Sequence, residues 1–253
     1  PLKELNIMKL RTFLKVAAAG GLLLTLQAQA QTYPTKPITV IVPFAAGGGV
    51  DATARLVMTK LADILKQPVV IENVAGAAGT IGSLKAARSP ADGYTLLFAV
   101  ASPLNVAPLV APSAVKYDTF KDFTPITVGA LGPLVLVPHK TIPATSVREL
   151  VAWAKANPGK LNYVSQGVGT SAHIYGEAFA KQAGIDIVHV PYKGANDVAK
   201  DFIAGRVHLQ FASSSAAVAL AKSGEVRLIA AIAPKRSALF SDLPTMTEQG
   251  MTG

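Results

Sequence analysis

The stretch Ile38-Thr39-Val40-Ile41-Val42-Pro43-Phe44-Ala45-Ala46-Gly47-Gly48-Gly49-Val50-Asp51 limits this chain to few folds. A β-branched apolar run stops at a proline, crosses three glycines and opens into an amphipathic pattern near Asp51. That is a strand, a tight loop and a helix start in immediate succession. Backbone N–H groups at a helix start have no intrahelical acceptor, and glycines let a ligand come close to them, so the loop suits an anion. Asp51 is expected to cap the helix by accepting from its first-turn amides. A second bend of the same kind is Leu161-Asn162-Tyr163-Val164-Ser165-Gln166-Gly167-Val168-Gly169-Thr170-Ser171-Ala172-His173, with Thr170 and Ser171 where a helix would be capped. One such bend in each half predicts two lobes that aim helix starts into one cleft.

Around these bends strand and helix alternate. Residues 38–44 read as a strand, 50–65 as a helix, 68–72 as a strand, 80–87 as a helix and 95–100 as a third strand. This β-α-β-α-β order implies a largely parallel sheet flanked by helices, with ligands at the strands' C-terminal ends. Residues 102–124 are proline-rich and lack periodicity. Residues 125–138 are nearly uncharged and read as a strand crossing to a second lobe. Ser146-Val147-Arg148-Glu149 is a capping box. The rhythm then resumes, with strands at 161–165, 186–192 and 208–212 and helices at 171–182, 196–204 and 216–223. Residues 226–233 are expected to return the chain to the first lobe. The domains so read are 31–125 with 226–253 as lobe 1 and 126–225 as lobe 2, hinged near 125–132 and 226–233.

Residues 8–30 have a basic start, a short apolar core from Val16 to Leu26 and an Ala28-x-Ala30 ending. That is the pattern of a secretory signal cleaved after Ala30, with residues 1–7 lying upstream of the start at Met8. Residues 1–30 are therefore assigned to export, and the working protein to the periplasm.

Composition removes several function classes. Of the net charge of +9, residues 1–30 carry +3 (Lys3, Lys9, Arg11 and Lys15 against Glu4), leaving +6 for the rest. Beyond residue 30 Lys235-Arg236 is the only adjacent basic pair, and no aromatics interleave with basic residues, so no nucleic-acid surface is expected. There is no cysteine, which excludes disulfides, thiolate zinc sites and thiol catalysis. The four histidines, His139, His173, His189 and His208, lack metal-ligand spacing. The glycine runs match neither a P-loop nor a dinucleotide fingerprint, and no Gly-x-Ser-x-Gly elbow occurs. Ser171 and His173 lie two apart on a helix and point in different directions. Neither an enzyme nor a cofactor is expected.

Binding asks less: backbone amides and hydroxyls at helix starts hold a carboxylate without an arginine. Phe44, at the strand's end, is either a cleft wall or ordinary core. His173 is either a helix-face hydrogen-bonding residue or a ligand contact. Tyr192, in Pro191-Tyr192-Lys193-Gly194, is either a third cleft wall or part of a solvated turn.

The ordered set Tyr33-Pro34-Thr35-Lys36-Pro37-Ile38, Pro43 to Asp51, Glu72-Asn73…Gly76…Gly79-Thr80-Ile81-Gly82, Pro90-Ala91-Asp92-Gly93-Tyr94, Pro158-Gly159-Lys160-Leu161-Asn162-Tyr163, Val188-His189-Val190-Pro191-Tyr192-Lys193-Gly194 and Leu243-Pro244-Thr245 resembles the tripartite tricarboxylate transporter receptors, the Bug-type periplasmic solute-binding proteins. The resemblance implies an α/β, two-lobed periplasmic-binding-protein type II fold, each lobe a mostly parallel sheet flanked by helices. It implies a receptor that closes on a small carboxylate and delivers it to a membrane permease; the sequence gives no sign of oligomerisation, and a monomer is expected. The resemblance places the carboxylate against Phe44, Ala45, Ala46, Gly47 and Gly48, against Gln166, Gly167, Gly169, Thr170 and Ser171, and near Ala101 and Ser102. His173 and Tyr192 complete the candidate set. Family members usually carry an acidic or amide residue after the strand matching 208–211; here Ala212-Ser213-Ser214-Ser215 stands there, which disfavours a ligand with an ammonium group. They also usually continue past Gly253, so the last elements of lobe 1 are expected to be missing. The alternatives are a ligand-presenting partner of a membrane histidine kinase, or a truncated copy that binds nothing.

Overall fold

The computed structural model describes residues 33–192 and 195–251. The assigned signal segment and the Lys193-Gly194 pair lie outside the described residues. Contacts divide the chain into two units, Pro1–Thr35 and Lys36–Gly253. Of the first, only Tyr33–Thr35 are described, and they form no helix or strand. Every element below belongs to the second.

The first sheet is β1 (Ile38–Val42) between β2 (Val69–Asn73) and β3 (Thr95–Leu97), all parallel. As the middle strand, β1 has no solvated face, and Ile38, Val40, Ile41 and Val42 are all buried. Helix α1 (Gly49–Leu65) follows the first glycine bend and sets Met58 and Ala54 against β1. Helix α2 (Thr80–Ala87) follows a 3-10 turn at Ala77–Gly79.

The region after β3 departs from the sequence reading. Ser102–Val106 forms a π-helical turn running into the short helix α3 (Ala107–Val110). Pro103 and Pro108 hide this helix from periodicity because each sits near the start of a turn, where a missing N–H costs nothing. Of residues 125–138, expected to be strand, 125–133 have no regular structure. Two prolines and two glycines there deny the backbone a ladder, and at Gly129 any side chain would collide with the Phe98 ring.

The second sheet has the order β6-β5-β7-β4-β8. Strands β5 (Asn162–Ser165), β6 (Val188–Pro191) and β7 (Leu209–Ser213) are parallel; β4 (Leu134–Pro138) runs against β7 and β8 (Ala230–Ile232). Strand alternation splits its core in two. Leu136, Tyr163, Leu209 and Phe211 face α4 (Val147–Ala156) and α5 (Ser171–Ala183). Val135, Val137, Val164 and Ala212 face α6 (Ala195–Ile203) and α7 (Ser214–Ala221).

Residues 226–251 were read as returning to the first sheet. Instead β8 bonds β4, with Ala230 opposite Leu136 and Ile232 opposite Leu134. The segment after it stays on the second sheet as well. Met246 N–H donates to Ala231 O, and Gln249 accepts from Val147 N–H (2.8 Å) while donating to Ile229 O (2.7 Å). Those bonds satisfy one of the open amides at the start of α4, where Ser146 Oγ takes another from Glu149 N–H as its capping box predicts. An apolar strand carries no signature of which sheet it joins, so the reading from sequence had no way to decide.

Gly176, mid-way along α5, holds the helix tight to the sheet: a Cβ there would lie 2.2 Å from Cε2 of Tyr163, which is fully buried. The Tyr163 ring has no room to yield, being stacked on His189 (4.9 Å) with its hydroxyl donating to Glu177 (2.6 Å). Helix propensity favours Gly176→Ala by about 1 kcal/mol, but overlap with a fixed ring reverses the sign. Urea unfolding of Gly176→Ala is expected to show a net loss of about 1–3 kcal/mol.

Candidate functional site

The parallel strands of both sheets end in glycine- or serine-rich bends, and these ends meet. At the first, the helix N-cap of α1 is Gly48, in extended conformation and with no side-chain cap. Asp51, expected to be that cap, lies inside the first turn and is 2 % exposed. Its carboxylate ties the bend backwards, accepting from Gly47 N–H (2.9 Å), Asn73 Nδ2 (2.9 Å) and Arg55 Nε (2.9 Å). Asn73 Nδ2 also donates to Phe44 O (3.0 Å), so the end of β2 is stitched to the end of β1. Gly47 takes φ 78°, which a glycine adopts without strain, and Gly48 N–H closes the turn on Ala45 O (3.3 Å). Burial pushes the Asp51 carboxyl up, but Arg55, Gly47 and Asn73 together outweigh it and hold the group below the usual carboxylate range. The amides of Gly49 and Val50 precede the first intrahelical bond of α1 and are left for another acceptor.

At the second bend Gly167 (φ 122°) and Gly169 (φ 82°) turn the chain into α5. Thr170 holds the N-cap position but spends its hydroxyl elsewhere, donating to Gly167 O (2.7 Å). Ser171 was also expected to cap. Its N–H instead donates to Ser102 Oγ (3.2 Å), which joins the π-turn after β3 to the helix start after β5. Ser165 Oγ accepts from Gly167 N–H (3.0 Å) and pairs with His189 Nε2 (2.6 Å). Burial first, and then the neighbouring His173, lower the His189 pKa, so that its ring is neutral at neutral pH. His173 Nδ1 accepts from Gly169 N–H (3.3 Å), and its ring lies 4.4 Å from His189. It supports the bend from behind.

A third helix start joins them, at the loop of residues 212–215, which the sequence reading weighed for the ligand's charge but left out of the candidate residues. Helix α7 begins at Ser214, two residues before the expected Ala216, with Ser213 Oγ accepting from Ala216 N–H (3.4 Å). Ser215 Oγ donates to Gly49 O (3.3 Å). Gly49 has room for no side chain, since a Cβ would lie 1.9 Å from Ser213 Oγ. The signal was legible: three serines, all good caps, follow an apolar strand.

Two adjoining cavities occupy this junction. One, of about 410 Å³, is lined by Gly47, Gly48 and Gly49 of the first bend, Gln166, Thr170 and Ser171 of the second, Ser102, and Ser213 and Ser215 of the third. It continues between α6 and α7 over Val164, Ala199, Ile203 and Leu220. The other, of about 420 Å³, is lined by Ala45, Gly48, Gln166, Gly167 and Tyr192, with Ala75–Thr80 and α3 as its far wall. Phe44 lines both and packs on Val42 and Ala54, so it is wall and core at once. Ala46, Ala101, Gly169 and His173, the remaining candidates, line neither. Tyr192 lines the second. Its hydroxyl donates to Asp201 (2.7 Å), and burial followed by that carboxylate push its pKa up to about 12.

Among the described residues lining either cavity there is no Asp, Glu, Lys, Arg or His. Among the described residues there is also no group of three or more acidic, histidine or cysteine side chains placed to hold a metal. The polar inventory is amides, hydroxyls and side-chain amides. Such a site offers hydrogen bonds to an anion and nothing to neutralise a cation.

Comparison with known proteins gives a consistent result. The family model described as "Tripartite tricarboxylate transporter family receptor" matches residues 53–253. Protein BugT of Bordetella pertussis is 38% identical over 236 residues, which is 93% of this chain and 71% of that protein. A protein encoded in the tcbD-tcbE intergenic region of Pseudomonas sp. strain P51 is 34% identical over 251 residues, 96% of this chain and 72% of that one. Among solved structures, R. palustris Rpa4515 with adipate has a TM-score of 0.83 at 37% identity, covering 87% of this chain and 74% of that one. MatC (Rpa3494) from Rhodopseudomonas palustris, with bound malate, has a TM-score of 0.79 at 29% identity, with the same coverage of 87% and 74%.

The Asp51 tie yields a test. A carboxyl held below its unfolded value of about 4 contributes stability above that pH and loses it as the pH falls through the folded value. Asp51→Asn is expected to lose about 1–3 kcal/mol in urea unfolding at neutral pH. It is also expected to show a shallower loss of stability on acidification than the unsubstituted protein.

Proposed function

The chain belongs to the tripartite tricarboxylate transporter receptor family, a family of solute-binding receptors rather than enzymes, and from that premise we propose that it captures a small organic carboxylate in the junction between its two sheets. The observation that carries the proposal is the convergence of three helix starts, those of α1, α5 and α7, on one cavity whose described lining residues carry no charged side chain. Open amides and serine hydroxyls at those starts can receive both oxygens of a carboxylate, and the partial positive charge of each helix start supplies the attraction that a lysine or arginine would otherwise give. Two relatives at 37% and 29% identity hold adipate and malate, which supports the same class of ligand here. The lack of an acidic side chain among the described lining residues weighs against amino acids, whose ammonium group would be left unpaired.

In this reading the chain is exported and works in the periplasm, where the filled receptor hands its ligand to the membrane permease of a tripartite tricarboxylate-type transporter. The two sheets act as jaws. They are linked through residues 98–133, and the bonds Ser171–Ser102 and Ser215–Gly49 are the latches that form when the jaws meet.

Ligand that binds only the folded state raises stability, by about 2.7 kcal/mol at a hundredfold excess over Kd. A thermal-shift panel of mono- and dicarboxylates, amino acids and sugars is expected to raise the melting temperature with organic acids alone. A rise with amino acids or sugars, or with none of the panel, overturns the proposal.

A further inference from the structure

Behind the second bend stand two imidazoles, and they differ in what a proton does to them. Ser165 ends β5 and lines the first cavity. Its hydroxyl accepts from Gly167 N–H (3.0 Å), donates to Gly167 O (3.0 Å) and meets His189 Nε2 (2.6 Å). A hydroxyl gives one proton and receives on two lone pairs, so all three bonds are made at once only when Nε2 carries a proton. A second proton then goes to Nδ1 of His189 and leaves the bond to Ser165 as it was. His173 is the opposite case: its Nδ1 accepts from Gly169 N–H (3.3 Å), and a proton there sets two donors against each other. Of these two rings, 4.4 Å apart, His189 alone can become cationic without breaking the bend. Burial and His173 oppose that charge, and Glu177 of α5 favours it. Tyr163 of β5 stacks on the ring (4.9 Å) and donates its hydroxyl to Glu177. Helix α6 packs on the other face of the sheet, against Val190, so Asp197, Lys200 and Asp201 lie across the sheet from His189. Among the described residues no further charge acts on the ring.

We infer that the receptor takes up a proton at His189 when a carboxylate binds, so that an imidazolium behind the second bend supplies the counter-charge that the described cavity lining lacks. This rests on the reading that a carboxylate sits at the helix starts. An acid held there brings its negative charge to a wall that includes Ser165, and one hydroxyl separates that wall from the His189 ring. Its pull adds to that of Glu177 and shifts the balance towards the charged ring. By linkage, a ligand that draws a proton onto His189 is itself held more tightly once the proton is there. The free receptor keeps His189 below the usual 6.5 of a histidine. Affinity is therefore flat near pH 8 and rises as the pH falls through about 6.5.

The test counts protons. Adipate, malate and butyrate, with any other acid that raises the melting temperature in the panel above, are titrated calorimetrically into the full chain across about pH 8 to about pH 5.5. Each titration is run in two buffers of different ionisation enthalpy, whose difference in heat gives the protons taken up. The unsubstituted protein is expected to take up almost none at about pH 8 and about half a proton per acid near pH 6, with affinity rising up to about tenfold, as a one-unit rise in the His189 pKa requires. His189→Gln keeps a donor for Ser165 and cannot be protonated, so the uptake is expected to vanish. Any titration of the acid itself is common to both proteins and cancels. His189→Leu and melting curves for every variant separate loss of the proton from loss of folding. His173→Gln is expected to keep the uptake and move it to higher pH, because that ring no longer opposes the charge. Uptake no greater in the unsubstituted protein than in the His189 variants, or uptake that disappears in His173→Gln, overturns the inference and leaves the carboxylate reading standing. Binding of no acid at any pH removes both.

Discussion

A helix cannot bond its own first amides, and in this protein three helices leave that debt facing one space. The positions of α1, α5 and α7 follow from the parallel strands β1, β5 and β7, whose C-terminal ends each turn directly into a helix. The turns need glycine or serine because the backbone must bend sharply while its donors stay uncovered. Even the buried charge serves this end. Asp51 holds the first bend by taking Gly47 N–H, two residues before the open amides that begin at Gly49. Behind the second bend Ser165, His189 and His173 do similar work.

This arrangement explains how a chain of net charge +9 presents a site with no cation among its described lining residues. A lysine or arginine in the cleft would grip any anion, and would have to be desolvated each time the cleft closed. Fixed backbone dipoles supply weaker, directional attraction at little reorganisation cost, so shape and the groups further down the cavity are free to decide which acid stays.

Much of this was legible in the sequence. The bends at Gly47–Gly49 and Gly167–Gly169 stand between unambiguous strand and helix patterns, and their meeting required only that both follow parallel strands. What failed did so for identifiable reasons. Asp51 is a good capping residue by type, yet the extended backbone that defines a cap belongs to Gly48, three positions earlier. Residues 102–110 form helical turns whose prolines mimic a loop. Ala230–Ile232 is an apolar strand with no mark of its sheet, and only its register with Leu134–Leu136 assigns it.

The bond from Gln249 to the start of α4 joins residues separated by 102 positions. A helix whose opening turn is sealed by so distant a side chain stays frayed there until that side chain arrives. As the polypeptide emerges from the ribosome, β4 must wait for β8 and α4 must wait for Gln249, while β5, β6 and β7 are already present. The second sheet therefore gains its β8 edge only after its other strands are made, and β4 presents an open margin until then.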